Sequence, residues 1–153
     1  MHDNARAETV REKPSLRTAF ERRRCLVPAS GFYEWQKAGK GKVPHWIHPA
    51  DGDLLTLAGL WERWSPEDAE PVYSYTILTT GANSFMQRLH ERMPVIISPE
   101  ERDVWLDPEA EAQALGELLR PAPEALLAAH PVSTLVNAPS NDMPECIRAF
   151  GGE

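Results

Sequence analysis

Apolar and polar positions change period several times along this chain. From Pro14 to Arg24, Leu16, Ala19 and Phe20 share one face at helical spacing, with Pro14 in the first turn. Cys25 to Pro28 is a short apolar strand. Phe32-Tyr33-Glu34-Trp35 has strand composition, and alternation sets Phe32 and Glu34 on one face and Tyr33 and Trp35 on the other. AGKGK is a flexible turn, so Val43–His48 reads as the return strand of a hairpin. Asp51-Gly52 marks a tight turn. Leu54–Trp61 is the next strand, and Ser65–Pro71 is a polar, acidic loop. From Tyr73 to Thr80 the alternation is clear, with Tyr73, Tyr75, Ile77 and Thr79 against Ser74, Thr76, Leu78 and Thr80.

After a loop or short helix, Val95-Ile96-Ile97 is strand-like. A helix begins at Pro99, with acids in its first turn and Val104, Trp105 and Leu106 near its end. Glu109–Arg120 reads as another helix and Pro123–Ala129 as a third. His130–Asn137 is expected as a closing strand, followed by a turn-rich tail. Five tryptophans, Trp35, Trp46, Trp61, Trp64 and Trp105, are expected mostly in the core. The class is α+β, a strand-rich core with small helices at its edges.

Composition bounds this picture. At 153 residues and 42% hydrophobic, the chain is long enough for one core, and a single domain over residues 1–153 is expected. Fourteen prolines keep the elements short. No run of 18 apolar residues is present, so no membrane span is expected. Cys25 and Cys146 form neither a metal site nor a disulfide framework by themselves, which points to a reducing cytoplasm. No cofactor or metal is implied. His45 and His48 flank Trp46 and Ile47 with no third ligand nearby.

The net charge is -7, but it is unevenly placed. Residues 1–48 hold ten Lys/Arg and five Asp/Glu, a balance of +5; the rest holds six and eighteen, a balance of -12. A basic front on an acidic body suits local binding of a polyanion, and a solvated helix face accounts for it equally well.

Three residues are able to do chemistry. Glu34 sits among Phe32, Tyr33 and Trp35, where lost solvation raises a carboxyl pKa and suits it to give a proton. The alternative is a half-exposed strand glutamate. His90 lies in a loop before Pro94, beside Glu91 and Arg92, where a plain surface histidine is the alternative. Asn4, with Arg6, lies in an extended segment near the start, suited to a sugar–phosphate contact or to fraying. Trp35 beside Glu34 is the candidate base-stacking residue. No Ser nucleophile follows from Ser30-Gly31, which lacks the G-x-S-x-G pattern.

Five stretches in order, NARAET, RRRCLVPASGFYEW, ILTTGAN, LHERMPVII and HPVSTLVN with NDMP, resemble the SRAP family of SOS response-associated peptidases and abasic-site processing proteins. The resemblance spans nearly the whole chain. It implies a barrel-like fold and recognition of abasic sites in single-stranded DNA. It also implies removal of an initiator Met by autopeptidase action, then a thiazolidine crosslink through the exposed N-terminal Cys. Carried over by motif, Asn4, Glu34 and His90 are the implied catalytic residues and are expected to converge on one pocket. Arg6 and Arg92 are implied phosphate contacts; Trp35 and Thr79 are the implied lining of the DNA cleft.

The departure is at the start. His2 stands where the resemblance places Cys, and the Met-Cys-Gly-Arg opening is absent. The chain therefore reads as the C-terminal two-thirds of such a protein, lacking early strands. Cys25, in an apolar strand and without a free α-amine, is a poor substitute. Two further readings follow: a non-catalytic single-stranded DNA-binding module, or an inactive fragment. The expected place of work is cytoplasmic and nucleoid-associated.

Overall fold

The computed structural model describes residues 4–52 and 54–151. Among them, β1 (Ala5–Arg6) and α1 (Pro14–Arg22) lead into β2 (Arg24–Ala29). The hairpin of β3 (Phe32–Ala38) and β4 (Gly41–Pro49) follows, then β5 (Leu55–Trp64) and β6 (Val72–Gly81). A short α2 (Ser84–Gln87) precedes β7 (Arg92–Pro94), and α3 (Arg102–Leu106), α4 (Ala112–Leu118) and β8 (Leu127–Pro131) complete the set. The architecture is α+β, with eight strands in two open sheets among the described residues. The chain forms two compact units. One holds the residues up to Pro28 with Thr56–Gly81 and Met93–Ala122; the other holds Ala29–Leu55, Ala82–Arg92 and the residues from Pro123 onward.

In the first unit the sheet order is β1-β6-β5-β2, with β7 also on β6. β1 runs parallel to β6, and β5 runs antiparallel to it, with Leu60 opposite Thr76 and Trp61 opposite Tyr75. One face of this sheet is the core. Ala58, Leu60 and Leu78 meet Val10, Phe20, Val95, Ile97, Trp105 and Leu115, all buried. Burying each large side chain of this kind contributes about 1.5–3 kcal/mol. Pro14 starts α1 because its missing N–H falls where the helix needs none. Phe20 meets the edge of Trp105 at 5.9 Å, and Trp105 Nε1 donates to the Cys25 carbonyl at 2.8 Å.

Arg24 fixes the helix ends of this unit. Its guanidinium donates to the carbonyls of Phe20 (2.7 Å) and Glu21 (3.0 Å) at the end of α1. It also donates to Trp105 (2.7 Å) and Asp107 (2.6 Å) at the end of α3. These carbonyls have no partner within their helices, and a cation completes them.

In the second unit the sheet order is β3-β4-β8, with Glu34 opposite His45 and Ile47 opposite Phe32 and Ala129. Gly39, at φ 61°, makes the turn between β3 and β4. Ile47, Pro44, Met86 and Val132 are fully buried here. Asn83 caps α2, its Oδ1 accepting from the Met86 N–H at 2.8 Å.

Several expectations need correction. His130–Asn137 is not a strand: β8 ends at Pro131, and Thr134–Asn137 is a 3-10 turn. Pro123–Ala129 is not a helix, since only Glu124–Leu126 forms a 3-10 turn before β8 begins. At Val95–Ile97 there is one isolated bridge, Leu57 with Ile96, and the paired strand is Arg92–Pro94. The helix expected over Glu109–Arg120 is confined to Ala112–Leu118. Of the tryptophans, Trp105 is buried, whereas Trp61 and Trp64 are exposed on the β5–β6 extension.

Candidate functional site

Strand alternation puts Glu34 and Gln36 on one face of β3, and the loop after α2 is fastened along that face. Gln36 Nε2 donates to the Arg88 carbonyl at 2.7 Å. The backbone N–H groups of Leu89 and His90 both reach the Met86 carbonyl at 2.8 Å, and Ala82 N–H closes the loop on Glu91 O at 3.0 Å. The result is a tight turn that presents His90 to Glu34, with His90 Nε2 3.7 Å from Glu34 Oε2. That is ion-pair reach, longer than a hydrogen bond. The Glu34 side chain is 24% exposed and the His90 side chain 41%.

His90 Nδ1 lies 3.1 Å from the Arg92 backbone N–H and 3.2 Å from the Arg92 carbonyl, so it can accept from the one or donate to the other, and the backbone of Arg92 holds the ring in place with either tautomer. Burial raises the Glu34 pKa above its ordinary value, and the His90 charge opposes that rise without cancelling it. The carboxyl thus keeps its proton to higher pH than a free glutamate does, beside an imidazole. The pair is suited to give and retake a proton at a carbonyl or hemiacetal oxygen.

On the opposite face of β3, Tyr33 and Trp35 pack at 6.3 Å, and Tyr33 packs on Trp46 at 4.9 Å. Trp35 Nε1 donates to Asn137 Oδ1 at 2.7 Å, and Tyr33 Oη donates to the Cys146 carbonyl at 3.3 Å. Tyr33 and Trp35 line a cavity of about 670 Å³ with Asn141, Asp142, Met143 and Cys146. Asn137 gave no sign in the sequence of a role beside Trp35; only the turn after β8 brings it there.

The remaining candidates fall into pairs. Arg6 and Thr79 are opposite each other where β1 joins β6, and the Ala7 N–H bonds to Thr79 O at 2.8 Å. The Arg6 side chain is well exposed and pairs with Glu8 at 3.5 Å. Asn4 is exposed, directly before β1. Asn4, Arg6 and Thr79 belong to the first unit; Glu34, Trp35, His90 and Arg92 belong to the second.

Neither cysteine resembles an activated nucleophile. Burial raises the Cys25 pKa, and Cys146 is buried with its Sγ against Asn141 O at 3.6 Å. Among the described residues no three His, Cys, Asp or Glu side chains group as metal ligands, and no helix is long and apolar enough to cross a membrane.

Residues 1–139 match the family model described as SOS response associated peptidase (SRAP). The chain is 42% identical over 148 residues to abasic site processing protein YoqW of Bacillus subtilis, covering 95% of this chain and 66% of YoqW. It is 39% identical over 166 residues to abasic site processing protein HMCES of Gallus gallus, covering 94% of this chain and 49% of HMCES. A crystal structure of a protein from Bacteroides thetaiotaomicron superposes with a TM-score of 0.89 at 32% identity, covering 96% of this chain and 65% of that one. The chain thus spans just under two thirds of YoqW and about half of HMCES.

Proposed function

We propose, for a chain that belongs to the SRAP family, action at abasic sites in single-stranded DNA, with Glu34 and His90 as its proton-transfer pair. The observation that carries this is the Glu34–His90 approach, in which a carboxyl of raised pKa sits at ion-pair distance from an imidazole. An abasic sugar reacts only as its open aldehyde. Opening the ring moves a proton from the C1′ hydroxyl to the ring oxygen, and a protonated Glu34 supplies the proton that the oxygen gains.

The nucleophile in this reading is an N-terminal Cys ahead of the Asn4 segment. Its amine adds to the aldehyde, and the resulting carbinolamine loses water to give an imine. His90 assists that loss by protonating the departing hydroxyl. The thiol then adds to the imine carbon, its proton passes to nitrogen, and a thiazolidine closes. The same Glu34 carboxyl serves the earlier removal of an initiator Met. By the family resemblance Asn4 is given a catalytic role, Arg6 and Arg92 phosphate contacts, and Trp35 and Thr79 contacts to DNA. One domain comprises the whole, since neither compact unit is contiguous in sequence.

The test is a chimera carrying the Met-Cys-opening segment of YoqW ahead of this chain, incubated with abasic single-stranded DNA. The expected result is an adduct that survives denaturing electrophoresis, slowed about 100-fold or more by Glu34→Gln. Adduct formation at an unchanged rate in Glu34→Gln removes the role given to Glu34. No adduct with the chimera, correctly folded, removes the abasic-site reading.

A further inference from the structure

The first unit holds a cavity of its own, about 260 Å³, between α1 and the segment that leads into α4. Its floor is apolar, made by Phe20, Ala110 and Leu115. Its wall carries three guanidinium groups, Arg11, Arg17 and Arg24, against one carboxylate, Glu21. Arg24 is occupied by the four carbonyls at the helix ends. Arg11 is held in place from three sides. Its guanidinium lies 5.2 Å over the Phe20 ring, and Nη2 donates to the Ala112 carbonyl at 2.7 Å. The third side is Gly116 inside α4, where a Cβ would lie 2.8 Å from Nη2. Glycine within a helix is less stable than alanine, so this notch seats the cation at the expense of the helix. Nε and Nη1 of Arg11 make no hydrogen bond among the described residues. Arg17 is exposed and makes no ion pair among them, although Glu21 lies one turn away on the same helix.

We infer that this cavity binds a small phosphate monoester bearing one ring, of the class of a pyrimidine nucleoside monophosphate. A planar fork fixed in advance loses little freedom when it takes an oxyanion. A phosphate monoester carries about two negative charges at neutral pH and three acceptor oxygens, so it can meet Arg11 and Arg17 together. A carboxylate, with a single charge, satisfies only one of them. The apolar floor takes the ring. The volume lies below the about 300–1,000 Å³ of pockets for drug-sized ligands, which limits the ligand to a small one. The residues that line the cavity belong to the first unit, whereas Glu34 and His90 belong to the second, so the inference stands apart from the proposed function.

Isothermal titration of the whole chain with thymidine monophosphate tests this, with thymidine and inorganic phosphate as separate arms. The nucleotide should bind about tenfold or more tightly than either part. Arg11→Gln and Arg17→Gln should each weaken it by about tenfold, the effect of one lost charged hydrogen bond. Gly116→Ala keeps every charge but pushes the Arg11 guanidinium from its seat. It should weaken the nucleotide as Arg11→Gln does, with a melting temperature no lower than the parent's. Arg22→Gln makes the same charge change in the last turn of α1, outside the cavity, and should leave the affinity unaltered. Should Arg11→Gln lower the melting temperature, Gly116→Ala and Arg17→Gln decide. No binding of the nucleotide, or equal binding of thymidine, overturns the inference. Inorganic phosphate bound as tightly as the nucleotide also overturns it, leaving an unselective anion site. So does an intact oligothymidylate weakened by Arg11→Gln and Arg17→Gln as strongly as the mononucleotide, which would make the cavity part of a DNA track.

Discussion

At the scale of single residues, the Glu34 carboxyl is held in an environment that favours its neutral form. Burial raises its pKa, so the folded chain binds that proton more tightly than the unfolded chain does. The stability tied to this proton is fully present below the ordinary glutamate range and declines as pH rises through the raised pKa. Glu34→Gln mimics the protonated form and escapes the decline. Thermal melts should show variant and parent alike near pH 3, with the variant melting higher at pH 8. A variant that melts lower at pH 8 would mean that attraction to His90 outweighs burial. A loss of stability at neutral pH fits the proton-transfer role proposed for Glu34. As candidates, Glu34 and His90 were named from the sequence by the family resemblance, the local pattern alone leaving a half-exposed strand glutamate and a surface histidine equally open. Asn137 was not, because only the turn after β8 brings it to Trp35. Arg11 and Arg17 showed as charge, but only the fold sets them in the wall of one cavity.

At the scale of elements, one close contact in each unit fixes how its elements meet. Gly31 precedes β3, and a Cβ there would lie 2.6 Å from Trp46 Cζ2 and closer still to the Ile47 carbonyl. Backbone cannot yield as a side-chain tip can, so Gly31→Ala should pry β3 from β4 and cost about 1–3 kcal/mol. Because β3 carries Glu34, DNA processing by the chimera should fall with it; denaturant melts and the adduct assay together check this. Stability equal to the parent's would show that the hairpin shifts freely. Arg24 is the corresponding device in the other unit, one guanidinium on four carbonyls. An ammonium is a point charge that cannot reproduce this fork. Arg24→Lys should therefore cost about 2 kcal/mol in urea unfolding, and a loss below about 0.5 kcal/mol would mean water replaces the lost bonds. Where periodicity was strong, as in Phe32–Ala38 and Val72–Gly81, the elements were readable from the chain. Leu127-Ala128-Ala129 misleads because alanine favours helix locally, whereas pairing with Ile47, His48 and Pro49 of β4 decides the outcome. Short helices such as α2 have no periodicity to read, and only the Asn83 cap marks them.

At the scale of the whole molecule, the question is whether the two compact units unfold together. The chain passes between them five times, at 28/29, 55/56, 81/82, 92/93 and 122/123. Three of those crossings fall inside strands, since β2 ends at Ala29, β5 begins at Leu55 and β7 begins at Arg92. A strand cannot fray at one end without loosening the ladder that continues from it, so unfolding of either unit frees strand ends of the other. One cooperative transition is the expected outcome, with circular dichroism and tryptophan fluorescence superimposing in urea. A chain ended at Ala122 sharpens the test. It keeps every segment of the first unit but removes β8, leaving β3 and β4 as an isolated hairpin, which is marginal in water. It also removes Leu127 and Val132, 5% and 1% exposed, each worth about 1.5–3 kcal/mol of burial. Against a total of about 5–15 kcal/mol for a typical domain, that loss should abolish the transition throughout. Hydrogen exchange then reports the Ala58, Val95 and Ile97 amides, all bonded within the first unit, as unprotected. Retained protection at those three amides would show that the first unit folds by itself, and that residues 1–153 are two domains interleaved rather than one.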